Sequence, residues 1–305
     1  MTPEAVRLPR IVVLLATYNG ASFIGEQIDS IAAQQGVHAV VVMSDDGSRD
    51  GTVEIAQRVA ADHGLSLTLL PKAAPSGSAA ANFFRLFQDA DLSNAEFVAL
   101  CDQDDVWLPD KLARGCTQLT QTCSDAYSCN STAFWPDGTE RSIRKDFPQR
   151  RFDMLFESAS HGCTYVLTGT TARGFAQALA SMQGKAQSID FHDWLLYAWC
   201  RATGRIWHFD SISCIRYRQS GRNVIGANAG WRASLTRLRL MRSGWLRRQS
   251  LLLADCLGIS GWPIVQRLQA NGWRDRVAIA LQARRCRRRP RDQWVFFWCC
   301  LTCGI

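Results

Sequence analysis

The sequence predicts an α/β fold: a largely parallel sheet covered by helices, followed by a basic helical appendage. Three observations carry this. From Ile11 onward, short apolar runs alternate with longer amphipathic stretches, the pattern of successive βαβ units. Polar clusters stand where several of those apolar runs end. Charge also changes sign along the chain. Of 305 residues with a formal net charge of +8, the segment from Trp231 to Ile305 holds fifteen arginines, no lysine and three acids, so residues 1–230 are mildly acidic.

The first strand, IVVLLA over 11–16, is too short for a signal-peptide core or a membrane span and runs straight into the turn TYNG. Further strands are expected at 38–43, 66–70 and 96–101. Helices at about 22–34, 51–63 and 79–88 separate them, with Ser22 and Gly51-Thr52 near two of the starts. The loop PKAAPSGSAA parts the third strand from its helix, and three right-handed crossovers join these units. After Pro109 come a helix over 110–122, a strand AYSCNSTAFW, a loop with PDG and a strand within GCTYVLT. A helix over IDFHDWLLYAWCRATG stops at Gly204, and strands IWHF and SCIRYR close a domain of residues 1–230.

Composition excludes some classes. With 47% hydrophobic and 20% charged residues the chain is globular, neither disordered nor fibrous. Its twelve cysteines are scattered, and Cys300 and Cys303 form a CxxC pair with no second pair to complete a zinc site. Reduced packing thiols in a cytosolic setting are expected, and nothing predicts export.

In open α/β sheets, ligands bind beyond the carboxyl ends of the strands, where TYNG, SDDGSRDGT and DQDD all fall. Asp102 and Asp104, two apart on a segment leaving a strand, can face one divalent cation, with Asp105 facing elsewhere or capping the next turn. Hard cations such as Mg2+ and Mn2+ take carboxylate oxygens together with substrate phosphates. A solvated acidic turn reads equally well. Asp45 and Asp46 suit either turn capping or a hydrogen bond to a base or ribose, and Tyr18 either stacks on a base or packs at an edge. In HDW, Asp193 stands between aromatic residues whose burial would raise its pKa towards that of a general base; the alternative is a helix-surface acid.

Taken in order, TYN, SDDGSRDGT and CDQDDVWLPDKL resemble family 2 glycosyltransferases of the GT-A fold. With NFF at 82–84, GCT at 162–164, HDWLLY and YRQSGRNVIGA, the set over residues 10–230 is similar to the rhamnosyltransferase-like branch that builds O-antigen and capsule polysaccharides. The resemblance implies an inverting enzyme using a nucleotide-sugar donor such as dTDP-L-rhamnose, and a saccharide or polyprenol-diphosphate-linked acceptor. It implies a divalent metal held by Asp102 and Asp104, Asp193 as base, and Thr17, Tyr18, Asn19, Asp45, Asp46 and Asp102 at the nucleotide. Related sequences read YRQHGNN where this chain has Ser220 and Arg222, so Arg218 or Arg222 would meet the diphosphate directly. The alternatives are a UDP-hexose or UDP-N-acetylhexosamine transferase, and an impaired protein that binds nucleotide sugar without transfer.

Residues 231–305 also hold six of the eleven tryptophans. Leu235, Leu238, Met241 and Trp245 have helical spacing, with Arg232, Arg239 and Arg247 off that stripe, the pattern of a helix lying in a membrane interface. The reading is a peripheral protein on the cytoplasmic, inner face of the cell membrane, attracted to anionic lipid. Nucleic-acid binding through RRCRRRPR is the less favoured rival, and a packed helical appendage is a third option.

Overall fold

The computed structural model describes residues 7–182, 184–219 and 243–303. Its sheet comprises β1 (Arg10–Thr17), β2 (His38–Asp45), β3 (Leu67–Leu69), β4 (Phe97–Asp102), β5 (Val106–Trp107), β6 (Ala126–Phe134), β7 (Glu140–Ile143), β8 (Val166–Thr168) and β9 (Trp207–Arg218). The order is β3-β2-β1-β4-β8-β6-β9-β5, with β7 paired to β6. β1 to β4 run parallel, β8 returns antiparallel to β4, and the sheet is therefore mixed.

Residues of β1 alternate between two cores because successive side chains leave a strand on opposite faces. Val12, Leu14 and Ala16 join one apolar cluster; Ile11, Val13 and Leu15 join the other. Helices α1 (Ile24–Ala32), α2 (Thr52–Asp62) and α4 (Lys111–Gln121) cover the second. α3 (Ala79–Asp89), α5 (Gly169–Ser181) and α6 (His192–Ala202) cover the first. Both faces of β1 are thus buried, which is why it reads as one unbroken apolar run.

The expected strands and helices before Pro109 are present, with shifted ends. Several differences follow later, among them the unexpected strand β7 after the PDG turn. GCT forms a 3-10 turn at Gly162–Thr164, leaving only Val166–Thr168 as strand. IWHF and SCIRYR fuse into β9, whose register against β6 shifts between Cys129 and Asn130 and again before Thr132. Helix α5 was not expected, since Gly169, Gly174 and two threonines weaken helix propensity. Its buried Ala172, Phe175 and Leu179 nevertheless lie on one helical face, and Thr168 caps it by accepting from Thr171 N.

The appendage folds as α7 (Trp245–Cys256), α8 (Pro263–Ala270), α9 (Trp273–Ala280), α10 (Ala283–Cys286) and α11 (Pro290–Cys303). Leu253, Ile264, Leu268, Ile279 and Phe296 share the first cluster with α3, α5 and α6. Polar ties reinforce the contact. Buried Arg288 donates to Ala159 O at 2.9 Å and stands 3.7 Å from Asp153, which also binds Arg201 at 2.8 Å. Leu235, Leu238, Met241, Arg232 and Arg239 lie outside the described residues. Trp245 packs on Phe191 and Trp194 at 5.8 and 5.9 Å, and Arg247 donates to Leu268 O, so both are used internally. Among the described residues, no helix is long and apolar enough to cross a membrane.

Candidate active site

The strand order reverses between β1 and β4, and the carboxyl ends of β1, β2 and β4 stop level with one another. Thr17 pairs with Asp45, and Ala16 with Asp102. Buried Asn82 on α3 holds this rim from behind, donating to Ser44 O at 3.0 Å and Thr17 O at 3.3 Å.

The β2 end is a knot of local bonds. Asp45 accepts from Thr17 Oγ1 at 2.9 Å, Gly47 N at 3.1 Å and Ser48 N at 2.8 Å. Asp46 accepts from Gly77 N at 2.9 Å and from Ser76 N, tying the loop before α3 to the rim. Asn19 takes a left-handed backbone (φ 46°), and its Oδ1 accepts from Arg49 N at 3.0 Å. Much of this motif is therefore turn chemistry. Tyr18 differs: the residue is 56% exposed, while Gln103 clamps its backbone through bonds of 2.8 and 2.9 Å.

At the β4 end the carboxylates crowd. Burial, then the charges of Asp104 and Asp193, push the Asp102 pKa up to about 7. Asp105 is buried rather than turned outward, which departs from its expected position. Its Oδ1 accepts from Arg218 N at 3.1 Å, and its Oδ2 has no hydrogen-bond partner. Burial and the charges of Asp104 and Asp102 raise its pKa well above the usual range. Asp102, Asp105 and Cys163 each bring one ligand atom within 4.8 Å of the others. Two carboxylates with an unpartnered oxygen suit a hard cation such as Mg2+ or Mn2+, whereas a thiol kept protonated by burial does not. Half-buried Asp104 adds its charge to both neighbours.

Arg218 braces this turn. Its Nε donates to Asp104 O at 2.7 Å, and its guanidinium pairs with Glu26 and lies over Phe134. Arg222 and Ser220 lie outside the described residues.

Asp193 sits in the first turn of α6, where Trp194 N donates to its Oδ1 at 2.8 Å. Desolvation lifts its pKa to about 6, a rise opposed by the Trp194 bond, the Lys145 charge and Ser158. Beside it, His192 stacks on Phe83 at 3.8 Å, and burial drives its pKa down to about 3, so it packs as a neutral ring. Asp193 and Asp102 are close enough that one charge raises the pKa of the other. DQDD and HDW, some ninety residues apart in sequence, meet in one site.

Residues 9–222 match the model of a family described as glycosyltransferase like family 2. The dTDP-rhamnosyl transferase RfbG of Shigella flexneri is 33% identical over 279 residues, spanning 92% of this chain and 96% of that protein. The chain belongs to glycosyltransferase family 2. Solved structures share the fold of this glycosyltransferase. S. aureus TarS 1-349 in complex with UDP has a TM-score of 0.54 at 15% identity, covering 91% of this chain and 83% of that one. The mannosyltransferase PcManGT from Pyrobaculum calidifontis, in complex with GDP-Man and Mn2+, scores 0.52 at 17% identity, covering 98% and 87%. The fold is GT-A.

The motif reading had given no site role to Gln103, Cys163 and Lys145, and had turned Asp105 away from the site or made it a cap. Asp105, Gln103 and Cys163 sat within quoted motifs, but which way the first two side chains turned depended on partners distant in the chain, Arg218 and Tyr18. Lys145 had no motif at all.

Proposed function

We propose that the protein transfers L-rhamnose from dTDP-L-rhamnose, with inversion, to a hydroxyl of a saccharide or polyprenol-diphosphate-linked acceptor in cell-surface polysaccharide biosynthesis. Family membership supports the class of chemistry, and the rhamnosyl relative supports the sugar. The observation that carries the mechanism is Asp193: a half-buried carboxylate with its pKa lifted to about 6, facing the aspartates at the end of β4.

A base with that pKa is ionised at neutral pH yet basic enough to take a proton from an attacking hydroxyl. Asp193 removes the acceptor proton as oxygen attacks the anomeric carbon from the face opposite the diphosphate, so one displacement inverts the centre. The transition state has oxocarbenium character. Holding both substrates in line supplies much of the remaining acceleration. Tyr18 stacks on the base, and Thr17, Asn19, Asp45 and Asp46 shape the turn beneath base and ribose. Asp102 and Asp104, with Asp105 behind them, would hold Mg2+ or Mn2+. When bound, that ion supplies positive charge against the departing diphosphate. Arg218 keeps the aspartate turn in shape, and Arg222 is assigned to the diphosphate.

The partner we propose for residues 231–305 is an anionic membrane surface on the cytoplasmic side. Five of the nine large apolar residues most exposed in the described protein, Trp273, Leu281, Trp294, Val295 and Trp298, lie in this segment. Exposed Arg274, Arg284, Arg285, Arg289 and Arg291 accompany them. Indole rings beside arginines suit the headgroup region.

Turnover with dTDP-L-rhamnose, UDP-hexoses and UDP-N-acetylhexosamines, with the product anomer assigned by NMR, tests the proposal. Inverted transfer of rhamnose is expected. Retention of configuration, or transfer only from a UDP-sugar, sinks it; binding without transfer from any donor would point to the impaired alternative.

A further inference from the structure

Away from the aspartates, a cleft of about 430 Å3 opens between the body and the appendage, lined by Arg151, Phe152, Trp262, Arg267, Gln282 and Arg285 among others. Three guanidinium groups share this cleft, and no carboxylate lines it. We propose that it binds a phosphate group, the chemistry shared by an anionic lipid headgroup and a free phosphate compound.

Four arginines of the appendage are used internally. Arg247, Arg276, Arg287 and Arg288 give their donors to carbonyls: Leu268 O, Asn271 O, Phe156 O and Ala159 O respectively. They are internal struts. Among the described residues, the side chains of Arg151, Arg267 and Arg285 have neither an ion pair nor a hydrogen bond, although Arg151 lies 5.1 Å over the Phe152 ring. Like charges gathered without a counter-ion repel one another, and a phosphate with two charges relieves that while matching the guanidinium fork.

The walls are suited to hold such a ligand. Phe152 N donates to Arg285 O at 2.8 Å, which fixes the segment carrying Arg151 to α10. Phe152 and Trp262 face each other at 6.4 Å and give the cleft an apolar side. Trp262 and Pro263 begin α8, whose N-cap has no side-chain acceptor, so the positive end of that helix adds to the same potential.

The test is a calorimetric titration of the full chain with inorganic pyrophosphate in EDTA, where no metal can hold a diphosphate at the aspartates. Wild type is expected to bind, and Arg151→Gln/Arg267→Gln/Arg285→Gln to lose roughly tenfold or more in affinity. The control Arg284→Gln/Arg289→Gln/Arg291→Gln, which removes three exposed charges of the appendage from outside the cleft, is expected to bind as wild type does. No binding by wild type, or equal loss in both triple variants, overturns the site. Flotation with phosphatidylcholine vesicles, with and without phosphatidic acid, then separates the sources. Phosphatidic-acid-dependent binding that pyrophosphate displaces, and that Arg151→Gln/Arg267→Gln/Arg285→Gln loses while the control triple variant keeps it, assigns the cleft to a lipid headgroup. Pyrophosphate binding without such vesicle binding assigns it to a soluble phosphate compound.

Discussion

The backbone of Gly162 lies directly against Asp193: a Cβ at position 162 would stand 3.2 Å from Asp193 Cβ and 2.6 Å from His192 Nε2. Only a glycine lets the 3-10 turn and the first turn of α6 touch, and that contact sets how far Asp193, the proposed base, reaches towards the aspartates. His192 cannot retreat, since it is stacked on Phe83. Gly162→Ala should therefore push α6 outward and misplace the base. A fall in kcat of about 10²-fold with little change in donor KM is expected, because small displacements of a reacting group are costly. An unchanged kcat would show that Asp193 need not approach so closely.

The Asp193 carboxyl should also set the acid limb of the pH profile. As the proposed base, Asp193 would act ionised, and its pKa is raised to about 6, so kcat should rise through that region and level off above it. Asp193→Asn should cost roughly 10²–10⁴-fold and remove the limb. Stability moves the other way. The pKa is raised from 3.8, so the native state keeps a proton that the unfolded chain releases, and this carboxyl makes the fold less stable as pH climbs from about 4 to about 6. Above that window the cost is constant. Asp193→Asn should consequently melt higher than wild type at neutral pH, and a lower melting temperature would contradict the burial argument.

A cation at the aspartates must displace protons. The Asp102 pKa of about 7 reflects burial and the charges of Asp104 and Asp193, all of which a divalent ion would oppose. Mn2+ affinity should then increase with pH up to about 7, with proton release visible as a dependence of binding heat on buffer ionisation enthalpy. Asp104→Ala should abolish most of this binding. Metal affinity that ignores pH would place the ion elsewhere.

These relationships were unequally legible in the sequence. The alternation that gave β1 to β4, and the polar clusters at their ends, could be read because each is a local pattern. The inward turn of Asp105 could not be read, because the groups beside its carboxyl among the described residues are Arg218 N and Cys163, both distant in sequence. The same holds for Trp245. Its spacing suggested an outward-facing stripe, but Phe191 and Trp194, far earlier in the chain, supply the surface it covers. Helix α5 was hidden by its glycines, one of which, Gly169, is needed where a Cβ would strike Ala95 O at 1.9 Å.

The exposed face of α11 offers the clearest test of membrane attachment. Arg291, Trp294, Val295, Trp298 and Thr302 recur at helical spacing on its exposed side, while Phe296, Cys299 and Cys300 face the core. At 14 residues the helix is about 21 Å long, short of the roughly 30 Å hydrocarbon core, so it can lie in the interface but not span it. Trp294→Ala/Trp298→Ala should leave the melting temperature nearly unchanged, because exposed side chains contribute little to folding. The same variant should bind anionic vesicles about tenfold or more weakly. Wild-type binding should itself weaken with salt, each arginine near the surface contributing about 1 kcal/mol. Ile206→Ala/Ile212→Ala, which removes two exposed apolar residues from the body, should bind like wild type. If both double variants lost affinity alike, scattered apolar exposure would be responsible rather than this helix.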